Sequence, residues 1–168
     1  MKWVLIVGVA IVAVVLIVLV TGWALPMKHQ ASRQASLPAP PEVVWNTITG
    51  VEAFPAWRRD LKRIERLPDR EGRPVWVEEG SSGRMTLAVE RSDAPRVLVL
   101  RIADPDLPFG GTWTYEIAPA SGGSRLTITE DGEIYNPLFR FMARFVFGYE
   151  GTIKSYLEAL EEKLKAGN

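Results

Sequence analysis

Few residues in this chain are equipped for chemistry. There is no cysteine, which removes disulfides, thiolate metal ligands and a thiol nucleophile. The one histidine, His29, follows directly on a long apolar segment. Just beyond that segment it is not expected to serve a Ser-His-Asp triad, and without a second imidazole it builds no histidine metal site; no metal and no cofactor are expected. Proton chemistry is left to carboxylates, tyrosine and water. Glu130 is the carboxylate that stands out. In Leu126-Thr127-Ile128-Thr129-Glu130 it keeps the phase of Leu126 and Ile128, on the covered face of a strand, while Thr127, Thr129 and Asp131 point outward. Desolvation there raises a carboxyl pKa and suits it to act as acid, base or hydrogen-bond acceptor. A bulge at Asp131-Gly132 would instead leave it solvated. Tyr115 is its expected polar companion.

Aromatic residues form the second group: Trp45, Phe54, Trp57, Trp76, Trp113, Tyr115, Phe141, Phe145 and Tyr149. Taken singly, each is more readily a core residue than a ligand contact. Taken together they supply the apolar walls with a few polar tips that a lipophile needs, and with Glu130 they make up the expected ligand site. The nine residues Arg58 to Arg66 include five basic ones. Asp60 and Glu65 are interspersed, which favours a solvated face over an anion site. In Leu138 to Phe147, Phe139 and Phe147 add apolar area beside a narrow Arg140/Arg144 stripe. That pattern fits a buried helix start, or else a cavity lid or bilayer-contacting surface.

These residues must be positioned by short elements. Lys28 to Leu37 alternates as a first strand, Pro38-Ala39-Pro40-Pro41 makes a stiff turn, and a short helix follows to Gly50, with a further helical turn over Val51 to Phe54. Strands are expected at Leu61 to Leu67, Val75 to Glu79, Arg84 to Glu90, Val97 to Ile102, Thr112 to Ile117 and Arg125 to Ile134. The breaks between them, Gly80 to Gly83 among them, are too short for parallel crossovers, so the sheet is antiparallel with one covered face. The cover is a helix from about Pro137 to Lys165, capped by Asn136 and bent near Gly148 and Gly151.

Trp3 to Leu25 is a run of 23 residues without a charge. As a helix it rises roughly 35 Å, enough for a hydrocarbon core of about 30 Å. The apolar stretch is long for a cleaved signal, its amino-terminal charge is Lys2 alone, and no A-x-A-like site precedes Pro26. A retained anchor over 1–28 and one domain over 29–168 are expected. Lys28, His29 and Arg33 beyond the run lean the domain toward the cytoplasmic side, whereas a signal anchor would place it outside. Of the 20 basic residues only Lys2 and Lys28 precede the domain, which leaves 18 against 20 acidic ones, a net −2. A nucleic-acid partner is not expected of such a balance.

The order of elements, with Leu37-Pro38-Ala39-Pro40-Pro41-Glu42-Val43-Val44-Trp45, Phe54-Pro55-Ala56-Trp57, Leu107-Pro108-Phe109-Gly110-Gly111-Thr112-Trp113-Thr114-Tyr115 and Leu126 to Glu130, resembles the START-like or SRPBCC superfamily, the polyketide cyclase/dehydrase and lipid-transport group. The resemblance covers residues 29 to 165. It implies an α+β helix-grip fold, with a curved antiparallel sheet of about seven strands around a long C-terminal helix and an apolar cavity between them. The membrane segment is an addition, and no catalytic set shared by enzymes of the group stands out. A membrane-anchored binding domain for a small hydrophobic molecule or lipid ranks first. A cyclase/dehydrase-type enzyme using Glu130 and Tyr115 comes second, and a structural or regulatory interaction domain with a vestigial cavity third.

Overall fold

Period-two alternation and glycine-rich turns organise the chain after the first helix into seven strands. The computed structural model describes residues 2–81 and 83–167; Ser82, in the expected Gly80 to Gly83 turn, lies outside them. Helix α1 (Lys2–Ala24) leads into β1 (Lys28–Leu37). Pro41 at its first turn opens α2 (Pro41–Thr49), and a 3-10 turn (Val51–Ala56) follows. Then come β2 (Leu61–Arg70), β3 (Arg73–Gly80), β4 (Gly83–Asp93), β5 (Val97–Ile102), β6 (Phe109–Ala120) and β7 (Gly123–Ile134). The strands form one antiparallel sheet in the order β1-β7-β6-β5-β4-β3-β2, so β1 crosses to pair with the last strand.

The inner face of the sheet carries Leu87, Leu98, Leu100, Tyr115, Ile117, Leu126 and Ile128. The covering segment differs from one continuous helix. It starts as α3 (Pro137–Met142), where the Asn136 side chain accepts the backbone N–H of Leu138 at 2.9 Å. A π turn (Ala143–Phe147) follows, Gly148 adopts φ 73°, and α4 (Gly151–Ala166) completes the cover. A backbone at that positive φ leaves the right-handed helix, so the expected bend is a break. Helix α4 buries Ile153, Tyr156, Leu157, Leu160 and Leu164 in the core, the stripe that a helix gripping a sheet presents.

Candidate functional site

Between the inner face of the sheet and the α3–π–α4 segment lies a cavity of about 540 Å³. The strands supply Met85, Leu87, Leu100, Ile102, Trp113 and Tyr115, and the covering segment supplies Phe139, Met142, Phe147, Tyr149 and Tyr156. Its volume falls within the roughly 300–1,000 Å³ of small-molecule sites.

Two polar clusters face this apolar interior. In the first, Glu130 sits directly across from Trp113 in the β6–β7 ladder, and the indole N–H donates to its carboxyl group. Burial pushes the Glu130 carboxyl up to about 7, while that hydrogen bond works in the opposite direction. His29 Nε2 lies 3.4 Å from Glu130 Oε1, and both side chains are largely shielded, at 11 % and 21 % exposure. The imidazole stacks on Tyr149 with ring centroids 4.2 Å apart. Its placement depends on Gly132, where any Cβ would collide with the ring. Burial lowers the His29 pKa, which keeps the imidazole neutral at pH 7. The His29–Glu130 contact is therefore polar but not a fixed ion pair.

The second cluster centres on Glu78, buried at 4 % exposure. Arg58 Nη1 donates to both Glu78 oxygens at 3.1 Å, and Trp76 Nε1 donates to Oε1 at 3.3 Å. The other side of the guanidinium meets Asp60 at 2.7 and 3.3 Å. Arg58 also packs 5.4 Å from the Phe54 ring centre and 5.3 Å from that of Tyr156. Burial raises the Glu78 pKa, and the Arg58 charge and Trp76 N–H offset part of that rise. For Arg58, burial acts to lower the pKa but is outweighed by the Asp60 hydrogen bond and the Glu78 charge, so the guanidinium stays charged. The Tyr115 and Tyr156 hydroxyls are hydrogen-bonded to each other, and burial raises both above the usual phenol range. Both therefore remain protonated donors.

Of the residues expected at the site, Phe54, Trp113, Tyr115, Glu130 and Tyr149 line the cavity. Trp57 stands behind them, edge-on to Phe54 and Tyr156, and Trp45 packs against the core. Trp76 is buried and reaches the cavity only through Glu78. Phe141 pairs with Phe145 at 4.9 Å on the covering segment, outside the lining. Three lining positions were not expected. His29 lines the cavity, against the expectation that it lies outside, beside the membrane segment. Arg58 turns inward from a run read as solvated, while its neighbour Arg59 stays 94 % exposed. Glu78 shares the parity of the buried Trp76, and that shared parity is its signal in the sequence.

The model of the family Polyketide cyclase / dehydrase and lipid transport matches residues 28–165, and the chain belongs to that family. Solved structures share the fold. A START superfamily protein from Mycobacterium smegmatis superposes with a TM-score of 0.68 at 19 % identity, over 83 % of this chain and 99 % of that one. The Zhui aromatase/cyclase from Streptomyces sp. R1128 gives 0.66 at 14 %, over 82 % and 94 %. A protein from Thermus thermophilus gives 0.59 at 25 % identity, over 84 % and 99 %. No curated protein matches the chain.

Proposed function

We propose that this is a membrane-anchored binding domain for a small uncharged lipophile. The charge balance of the cavity carries the reading. Among the described residues that line it, Arg58 is the one permanent cation, and Glu78 and Asp60 already hold it. A fatty carboxylate or lipid phosphate would find no free positive charge and would face Glu78 and Glu130. An alcohol or ketone on an apolar body instead meets the Glu130 carboxyl and the Tyr115–Tyr156 hydroxyl pair. At the ~30 Å³ that a liquid water molecule occupies, the cavity has room for roughly 15–20 non-hydrogen atoms, too few for a two-chain phospholipid. Helix α1 supports the anchoring half of the reading: it is long and apolar enough to cross a bilayer. A tether of that kind keeps the cavity beside a reservoir of lipophiles.

The test is the affinity at pH 8 of tetradecanol and, separately, of tetradecanoate for the full chain in detergent, each followed by the change in tryptophan fluorescence. The alcohol is expected to bind more tightly; tighter binding of the carboxylate contradicts the reading.

A second reading has its own observation. A carboxyl that titrates near neutrality beside an imidazole is suited to moving protons, which favours a cyclase/dehydrase-type reaction with Glu130 as acid or base and Tyr115 as donor. Under that reading, Glu130→Gln abolishes turnover of a bound polyketide-like ketone without displacing it.

A further inference from the structure

We infer that the segment Leu138 to Phe147 lies in the bilayer interface beside α1, and that the cavity opens there, so that its ligand passes between lipid and protein without crossing water. This rests on the reading of α1 as a membrane helix.

The argument starts where α1 ends. Gly22 is the one buried residue of a helix otherwise exposed except for half-buried Val18 and Thr21, and a Cβ at that position would collide with the Pro137 carbonyl, so α1 and α3 meet backbone to backbone. The last carbonyls of a helix lack intrahelical partners. Here Arg140, 7 % exposed, supplies them: Nη1 donates to Leu25 O at 2.8 Å and Trp23 O at 3.4 Å, and Nη2 to Tyr135 O at 3.3 Å. The guanidinium thereby fixes α3 at the level where α1 leaves the hydrocarbon. Exposed Trp23 and Tyr135 mark that level, as aromatic side chains do at a bilayer interface.

From this clamp the covering segment presents Leu138, Phe139, Phe145, Val146 and Phe147, all exposed, with Phe145 and Val146 at 58 % and Phe147 at 71 %. So much apolar surface within ten residues marks an interaction site. Exposed Arg144 lies among them, with a stem long enough to reach lipid phosphates. Phe139 and Phe147 are both exposed and line the cavity, so the patch is also the rim of its mouth. Continuity with α1 selects lipid as the occupant of this patch, ahead of a protein partner or a second copy.

Because the chain lacks cysteine, one cysteine at a time can be placed in it and labelled with the polarity-sensitive NBD fluorophore. The full chain is reconstituted in phosphatidylcholine vesicles carrying doxyl-labelled lipids. Labels go on Val12→Cys in α1, Val146→Cys on the patch and Ser121→Cys in the β6–β7 turn, at the far end of β7 from α1. The inference expects quenching at positions 12 and 146, with position 146 quenched best by shallow doxyl groups, and none at 121. Quenching at 12 with a 146 label that behaves like 121 overturns the inference and leaves the anchor standing. A blue-shifted but unquenched 146 label also overturns it, since protein then covers the patch. No quenching at 12 removes the anchor itself. As a second measurement, Phe145→Ser combined with Val146→Ser, both outside the cavity lining, is expected to slow ligand uptake from vesicles and leave affinity in detergent unchanged. Unaltered uptake contradicts the portal.

Discussion

At the residue scale, Glu130 gives the clearest consequence. Its carboxyl moves from 4.5 to about 7 in the folded chain. The folded state therefore holds a proton that the unfolded state has released throughout that window. Stability is fully present below about pH 4.5 and is lost as pH rises toward 7, with on the order of 3 kcal/mol as the upper bound. His29, lowered by burial, acts oppositely: it costs stability where it would otherwise protonate, and so softens the trend below its ordinary value of 6.5. Glu130→Gln removes the carboxyl titration. Its melting temperature relative to wild type is expected to be higher at pH 8 than at pH 4.5, and a pH-independent difference would place Glu130 in water. Arg58 makes a second prediction. Arg58→Met leaves Glu78 buried without its cation, and breaking such a pair from one side costs about 3–5 kcal/mol. Adding Glu78→Gln should recover much of that loss in a thermal melt. The strand alternation Leu126-Ile128-Glu130 made Glu130 legible in the sequence. His29 was just as legible in principle, because it shares the parity of Ala31 and Leu37, both buried on β1. Its position beside the apolar segment points to the membrane and masks that parity. Arg58 precedes β2 in a loop, where no periodicity reports direction.

Elements lie close to their expected bounds wherever turn chemistry and alternation agree. Strand β1, α2 and the 3-10 turn start where expected, and the six later strands differ from their expected bounds by no more than three residues at either end. The covering helix was the exception, because apolar residues occupy nearly every side of Phe139 to Phe147 and an all-round pattern carries no phase. The break has a definite cause: Gly148 takes φ 73° and ψ 171°, a conformation that glycine alone adopts readily. Gly148→Ala should destabilise the chain by roughly 1–3 kcal/mol, although nothing lies within 4 Å of the added carbon. An unchanged melt would show that the segment can close into a continuous helix. At the other end of α3, Gly22→Ala forces α1 away from Pro137. Backbone amides of α3 should then exchange faster with deuterium while those of β3 to β5 keep their protection.

For the whole molecule, membership of the cyclase/dehydrase and lipid-transport family and the shared fold establish a helix-grip, ligand-binding domain. The particular arrangement of charges and the added helix make the functional proposal specific to this chain. A cut after Leu25 should leave a folded domain, because the sheet and α4 hold the core, but Arg140 then loses the Trp23 and Leu25 carbonyls and the aromatic patch faces water. Concentration-dependent self-association of that truncated domain in sedimentation is expected, and Phe145→Ser with Val146→Ser should suppress it. The central claim, that the cavity holds a small uncharged lipophile, is tested most directly by mass spectrometry of small molecules released from the purified full chain. Wild type should yield one uncharged compound of roughly 15–20 non-hydrogen atoms per chain, as the cavity volume allows. The Ala143→Trp variant, which fills the cavity from the π turn, should yield none while its circular dichroism stays that of wild type. An acidic lipid from wild type, or equal amounts of the same compound from both proteins, would contradict the account.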